Sequence, residues 1–236
     1  MPLVVHGLLS ADAADVLDPS VEGVEASTAV VVHGEVAALV TATGEVDLLP
    51  SRANLLTHTR VLEAAAEATT VVPMRFGTVV PDEEALVATY LRPEHDAIGR
   101  RLDDLTGRLE VRVRATYDED QAVRAVLDDD RRAAQLRGRD DFEARMELGE
   151  RIAAGIAARR DDDARYTVEA VRRHVIDVAP ATVSEPLDAF TVSFLVDRDA
   201  LTAFEGSLEQ VADELAPRVR MELIGPLPPF SFAATA

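Results

Sequence analysis

Cysteine, lysine and tryptophan are all absent from the sequence of 236 residues. Without cysteine, the chain has no disulfide, no thiolate nucleophile and no cysteine-ligated zinc or iron–sulfur site. Without lysine, it has no Walker A motif, and the G-x-G-x-x-G pattern of dinucleotide sites is also missing. The G-x-S-x-G serine elbow is not present either. The classes of nucleotide-binding protein and hydrolase that these motifs define are therefore excluded.

Positive charge is scarce as well, because 24 basic residues stand against 43 acidic ones and the formal net charge is -19. Proteins neutralise the phosphates of nucleic acid and of anionic lipid with a basic surface, so neither is expected as a partner. No apolar run approaches the roughly 20 residues of a membrane-spanning helix, and no signal-peptide pattern opens the chain. We therefore expect a soluble, cytoplasmic protein.

The first third of the chain combines short strands with one helix. Valine-rich segments bounded by glycine predict strands at residues 3–9, 27–34 and 35–41. Ser51 then precedes a helical apolar pattern and is typical of an N-cap. Residues 71–77, VVPMRFG, are interpreted as a further strand. Together these parts predict a small α+β unit.

An alternating strand and a long helical region occupy the middle of the chain. The alternation in residues 109–114 predicts a half-exposed strand with Glu110 on its solvent side. Residues 121–179 have a helical pattern with breaks near Gly138 and at the aspartate run 161–163, which is interpreted as solvated helix ends. A heptad-like stripe predicts a core face in an antiparallel helix pair, formed by Phe142, Met146, Gly149, Ala153 and Ile156.

The last part of the chain has the clearest pattern, with a strand, a helix and a strand in residues 189–225. A crossover of this kind predicts a ferredoxin-like sheet. We therefore expect an α+β fold of two ferredoxin-like antiparallel-sheet units, residues 1–80 and 81–236. The second unit is expected to carry a helical insertion at about 118–179 and a proline-rich tail at 225–236.

The sequence IGPLPPFSF at residues 224–232 contains three prolines and two phenylalanines. Proline lacks the amide donor of a ladder hydrogen bond, so this segment cannot continue as a central strand. A stiff aromatic segment is either clamped onto the core of its own protein or offered to a partner at low entropic cost. Clamping is the favoured interpretation.

Three polar residues are candidates for chemistry. His6 and His33 each lie in a VVHG tetrapeptide, and Arg75 interrupts the apolar run VVPMRFGTVV. If the fold gathers them in one pocket, they define a ligand-binding or enzymatic site, and this is the alternative hypothesis for function. No carboxylate lies at ligand spacing beside the histidines, which argues against a metal site. Since no catalytic set is evident, we expect no enzyme activity, no cofactor and no metal.

Two segments together resemble the gas vesicle protein F/L family (GvpF/GvpL). VVPMRFGTVVPDEEAL at residues 71–86 is similar to the P-x-R-F-G block of that family, and residues 224–232 are similar to its closing G-P-W-P-P-Y-x-F block. Leu227 stands where many relatives have tryptophan, and Phe230 where they have tyrosine, so two polar groups are lost while apolar bulk is kept. The resemblance runs over essentially the whole chain.

This resemblance implies a non-enzymatic accessory protein of gas vesicle assembly with two ferredoxin-like parts and a helical region. Members of the family are thought to bind the very hydrophobic shell subunit GvpA, to help its assembly and to associate with the vesicle wall. Other gas vesicle accessory proteins are further candidate partners. The candidate residues for a domain junction or a partner contact are Pro73, Arg75, Phe76, Gly77, Gly225, Pro226, Pro228, Pro229 and Phe230. We expect Arg75 to pair with a carboxylate or to cap backbone carbonyls where the two halves meet.

Overall fold

The computed structural model describes residues 1–17, 23, 26–44, 50–181 and 187–233. The strands are β1 (Leu3–Ser10), β2 (Thr28–His33), β3 (Val36–Ala42), β4 (Val72–Pro73), β5 (Val79–Val80), β6 (Arg108–Tyr117), β7 (Asp177–Ala181), β8 (Asp188–Asp197) and β9 (Val219–Leu227). The helices are α1 (Arg52–Ala68), α2 (Glu83–Leu86), α3 (His95–Leu105), α4 (Glu119–Asp129), α5 (Arg131–Leu136), α6 (Phe142–Val171) and α7 (Leu201–Leu215). The α+β fold with two sheets is confirmed, and its ferredoxin-like topology stays a prediction.

The chain divides into two compact units. The first contains Met1–Glu110 and the tail from Pro226 onward, and the second contains Val111–Gly225. The expected boundary after residue 80 therefore falls inside the first unit. The reason is packing, because α3 contacts β1, β3 and β4 of the first sheet. The chain passes from the first unit to the second within β6 and returns within β9.

Strand β1 is the centre of the first sheet, whose order is β2-β3-β1-β4, with β5 also paired to β1. All of these pairings are antiparallel. Because β1 is buried from Leu3 to Leu9, both of its faces are covered. The predicted cap of α1 is confirmed, since the Ser51 hydroxyl accepts a hydrogen bond from the amide of Asn54. The helix packs on the sheet through Val61, Leu62 and Ala65.

A β-bulge in β1 brings two consecutive residues next to α1. The pairing of β1 with β3 shifts register around His6. His6 hydrogen-bonds to His58 of α1. At the next position, a Cβ atom on Gly7 would lie 2.6 Å from a methyl group of Val71 and 2.9 Å from one of Leu62. Glycine is therefore required for the helix to approach the strand this closely.

The second sheet has the strand order β7-β8-β6-β9. Strand β8 lies inside the sheet and is buried over most of its length. Helix α7 packs Phe204 against Phe194 of β8, with ring centroids 5.3 Å apart. The predicted strand, helix and strand of this segment are confirmed. Strand β9 forms the edge of the sheet. The ladder tolerates Pro226 there, because no second strand among the described residues pairs with β9.

Helix α6 corrects two predictions for the helical region. It runs without interruption from Phe142 to Val171, through the aspartates at 161–163, where a break was expected. Asp163 is buried in an ion pair and is not a solvated helix end. Phe142 and Met146, predicted to face the core, are 79% and 52% exposed. In the described part of the chain, no helix is both long and apolar enough to cross a membrane.

Candidate functional site

Helix α1, the loop after β4 and the C-terminal tail line an open groove of about 650 Å³, which we call the tail groove. Its walls include Leu55 and His58 from α1, Arg75 and Phe76 from the loop, and Phe230 from the tail. The two sequence blocks that resemble the GvpF/GvpL family thus meet in the first unit. Of the candidate residues in these blocks, Pro73, Arg75, Phe76 and Phe230 line the groove.

The loop after β4 is held to β1 by backbone hydrogen bonds. The amide of Met74 donates to the carbonyl of His6, and the amide of Val5 donates to the carbonyl of Thr78, both at 2.9 Å. Gly77 has a φ of +84°, a conformation that strains any residue with a Cβ atom. The predicted strand at 71–77 is therefore reduced to the two residues of β4, and a turn follows.

The turn presents Arg75 to solvent. Its backbone carbonyl accepts hydrogen bonds from the amide and the hydroxyl of Thr78, whereas its side chain is exposed at the mouth of the tail groove. Among the described residues, no carboxylate lies within ion-pair distance of this guanidinium. The expected pairing of Arg75 with a carboxylate is therefore not found in this part of the chain, and the groove keeps a solvent-facing cation.

The C-terminal tail is clamped onto the protein, as the favoured interpretation predicted. Pro228, Pro229 and Phe232 are buried, and Phe230 packs against the core cluster beneath α1. The side chain of Glu110 fixes the turn of the tail, because it accepts hydrogen bonds from the amide of Ser231 at 2.7 Å and from its hydroxyl at 2.9 Å. Residues 234–236 of the predicted tail lie outside the described residues.

Glu110 is a residue that sequence reasoning placed wrongly. Its position in the alternating strand predicted a solvent-facing side chain, yet it is completely buried. The hydrogen bonds to Ser231, 121 residues away, explain this burial. A local alternation pattern contains no information on a partner so distant in sequence. The only signal available was the serine between two phenylalanines in the closing block.

Glu110→Ala is expected to loosen the tail and to lower the free energy of unfolding by about 2 kcal/mol, because two hydrogen bonds to a buried carboxylate are lost. Hydrogen exchange should show faster exchange of the amide of Ser231, whereas amides of α7 in the second unit keep their rates. Glu110→Gln is the matched control, since its carbonyl can accept from the amide and its NH₂ can donate to the hydroxyl. Equal exchange in the alanine and glutamine variants would contradict the role assigned to Glu110.

A chain of hydrogen bonds buries two histidines behind the tail groove. Nε2 of His58 lies 3.1 Å from the carbonyl oxygen of Met74, Nδ1 of His58 lies 2.9 Å from Nδ1 of His6, and Nε2 of His6 lies 2.8 Å from the hydroxyl of Thr41. A carbonyl only accepts, so His58 Nε2 carries a proton. In the neutral pair His6 then donates to His58 and accepts from Thr41. Burial lowers the pKa of His6 from 6.5 to about 3, and His58 adds to this shift.

The alternative hypothesis of a shared pocket for Arg75, His6 and His33 is not supported by the geometry. His6 is completely buried, and Arg75 is exposed. His33 lies at the end of β2, where its ring packs edge-on against His95 at a centroid distance of 6.3 Å. Among the described residues, no group of three or more histidine or carboxylate side chains is arranged to hold a metal ion.

Two crystal structures of gas vesicle proteins share this fold. The crystal structure of GvpF from Anabaena sp. PCC7120 superposes with a TM-score of 0.83, covering 100% of this chain and 99% of that one at 21% identity. The crystal structure of GvpF from Microcystis aeruginosa has a TM-score of 0.79, covering 99% of each chain at 20% identity. The fold class is therefore that of the GvpF structures.

Sequence similarity then establishes the family. Gas vesicle protein F of Streptomyces sp. (strain CB03234) is 34% identical over 209 residues, which cover 86% of this chain and 86% of that protein. The family model "Gas vesicle synthesis protein GvpL/GvpF" matches residues 3–234. The chain belongs to this GvpL/GvpF family, whose members are gas vesicle proteins involved in gas vesicle formation and are not a known class of enzyme. The resemblance inferred from the two sequence blocks is confirmed.

Proposed function

We propose that the protein binds the hydrophobic shell subunit GvpA through the tail groove and helps its assembly without catalysing a reaction. The observation that carries this proposal is the apolar rim of the groove. Leu55 lines the groove and is 42% exposed, and its neighbour Leu56 is 47% exposed. Phe76 and Phe230 contribute aromatic surface from the loop and the tail. Exposed apolar side chains around a groove are typical of a protein-binding site.

The charge distribution suits such a role. A shell subunit with an exposed apolar face aggregates unless that face is covered before assembly. A carrier with a net charge of -19 keeps the complex soluble through repulsion between copies. Arg75 supplies a cation at the edge of the apolar rim, so the groove favours an apolar segment with a neighbouring carboxylate. We place this activity in the cytoplasm at the growing vesicle wall, with other accessory proteins as additional partners.

Arg75→Glu should weaken GvpA binding about tenfold, which corresponds to about 1.4 kcal/mol, because the charge at the rim is reversed. The measurement is the amount of GvpA retained by the tagged protein after co-expression. Arg100→Glu is the control, since Arg100 is exposed on α3 and does not line the groove. Both variants should keep the melting temperature of the parent protein, because both side chains are exposed.

An apolar variant tests the same site independently. Leu55→Asp should reduce GvpA retention by a similar factor, whereas Leu223→Asp, at an exposed leucine of β9 in the second unit, should not. A folded parent protein that retains no GvpA would overturn the proposed function. If the Leu55 and Leu223 variants retain equal amounts of GvpA, the protein still binds GvpA, but the tail groove is not the binding site.

A further inference from the structure

We infer that the open edge of β2 is a second binding site, which takes an extended, mainly apolar strand with a lysine or arginine from a partner protein. Strand β2 is the outermost strand of the first sheet. Within the described ranges, β3 is its only strand partner. An edge strand presents a row of unpaired amide and carbonyl groups, which an added strand can satisfy with main-chain hydrogen bonds.

The sequence of β2 offers none of the usual protection against such pairing. Its six residues, TAVVVH, include no proline, no lysine and no acidic residue. Protected edge strands commonly carry a charge or a proline that blocks further pairing. Val32 is 48% exposed, so the strand shows solvent an apolar β-branched side chain as well as its backbone. An edge of this kind is suited to a partner strand.

A groove of about 350 Å³ lies beside this edge, and we call it the edge groove. One wall is β2, with Val31 and Val32, and the opposite wall is the helical segment of residues 83–92, with Val87 and Ala88. That segment consists of α2, the π-helical turn Val87–Leu91 that continues it, and Arg92 at the end of the turn. A strand added to β2 would place every second side chain in the edge groove, against its apolar walls.

Charge in the edge groove selects the kind of strand. Glu83 and Glu84 both line it, and among the described lining residues Arg92 is the single cation. Within the part of the chain that the structure describes, none of the three takes part in an ion pair. Two carboxylates against one guanidinium favour a ligand with a basic side chain. A second copy of this chain is disfavoured, because pairing two β2 edges would join two molecules of net charge -19.

The edge groove differs from the tail groove in both position and preference. The tail groove carries the cation Arg75 and favours a carboxylate, whereas the edge groove carries two acids and favours a base. The described lining residues of the two grooves do not overlap. A single assembly factor with both sites can hold two different segments at the same time. The inference on the edge groove stands on β2 and residues 83–92 alone, and it does not require the proposed binding of GvpA.

The test uses a fluorescent nine-residue peptide of alternating valine and threonine in which the central valine is lysine. Fluorescence anisotropy gives its Kd, and hydrogen exchange locates its binding. We expect saturable binding and about tenfold slower exchange of amides in β2. Replacing the peptide lysine by glutamate, or N-methylating alternate backbone amides, should raise the Kd about tenfold.

Protein variants separate the contributions of charge and shape. The double substitution of Glu83 and Glu84 by glutamine should raise the Kd of the lysine peptide about tenfold. Arg92→Gln should leave this Kd unchanged or lower it. Val32→Asp should abolish binding, with an unchanged circular dichroism spectrum as the folding control. Arg75→Glu should have no effect, which separates this site from the tail groove.

Three results would overturn the inference. They are equal affinity for the lysine and glutamate peptides, equal affinity for the N-methylated peptide, and exchange protection outside β2 and residues 83–92. Concentration-dependent dimerisation that Val32→Asp abolishes would show that a second copy occupies the edge, and this too would contradict the proposed ligand.

Discussion

Asp163→Ala is expected to lower the free energy of unfolding of the second unit by about 3 kcal/mol, the largest effect of any single substitution that we predict. Asp163 is 6% exposed, and both of its carboxylate oxygens bond to the guanidinium of Arg218. The hydroxyl of Tyr117 donates to the same carboxylate at 2.8 Å. Alanine would leave a partly buried guanidinium and a buried hydroxyl without their shared acceptor, and the loss of such a partner is costly away from solvent.

This carboxylate joins three elements of the second unit. It comes from α6, Tyr117 ends β6, and Arg218 immediately precedes β9. Burial raises the pKa of Tyr117 well above its usual value, and the hydrogen bond to Asp163 adds to the increase. The tyrosine therefore stays a donor throughout the physiological pH range. Loss of the acceptor should accordingly loosen the contact of α6 with the second sheet.

The neighbouring aspartate provides a matched control. Asp162 forms an exposed pair with Arg165 one turn further along the same helix. Asp162→Ala should change the free energy of unfolding by less than about 0.5 kcal/mol, because exposed pairs contribute little. Asp163→Asn should lie between the two, since it keeps an acceptor for Tyr117 and loses the charge. Urea unfolding followed by circular dichroism gives the differences, and a loss below about 1 kcal/mol for Asp163→Ala would contradict the assigned role.

The fold could be predicted from the sequence wherever a helix or strand buries one regular face, because the apolar residues of that face then recur at a regular spacing. Strand β8 and helix α7 follow this rule, because Phe194 and Phe204 belong to clear periodic stripes and pack against each other. The cap at Ser51 follows it too, since a serine before a helical pattern satisfies amides within its own turn. In these cases the interactions that determine the structure are local or repeat along the chain.

The predictions that were wrong concern residues whose environment depends on distant partners. Asp163 was interpreted as part of a solvated helix end, and its partner Arg218 is 55 residues away. Glu110 was placed outward by alternation, and its partner Ser231 is 121 residues away. An interpretation based on periodicity assigns apolar residues to the core and charged residues to solvent. It therefore misplaces a charged residue that is buried with a partner.

The candidate site was predictable only in part. The two sequence blocks singled out Arg75, Phe76 and Phe230, which line one groove. Their role in a partner contact stays a prediction. Their meeting in the first unit did not follow from the sequence, because the tail was assigned to the second unit. The exposed leucines of α1 and the buried pair of His6 and His58 also gave no recognisable signal, since a histidine inside an apolar strand is compatible with many environments.

Acidification is expected to destabilise the first unit by about 2 kcal/mol between pH 7 and pH 5 through His6 alone. The folded-state pKa of His6 is lowered to about 3, compared with the ordinary value of 6.5 for the unfolded chain. The unfolded chain therefore binds the additional proton first. The stability that His6 contributes is fully present above about pH 6.5 and is lost as the pH falls toward 3. Burial also lowers the pKa of His58, which adds to the effect in the same direction.

A comparison of two histidine variants separates the pH-dependent stability due to His6 from that due to the carboxylates. The carboxylates titrate in every variant, so their contribution cancels. His6→Asn keeps a donor for Nδ1 of His58 but cannot titrate, so it should be less stable at pH 7 and lose about 2 kcal/mol less between pH 7 and pH 5. His33→Asn is the matched control and should keep the pH dependence of the parent protein, since His33 is outside the buried network. Urea unfolding at both pH values measures the difference, with hydrogen exchange of α1 reporting on the first unit. Parallel pH profiles for the parent protein and His6→Asn would show that the buried pair is protonated as easily in the folded state as in the unfolded chain.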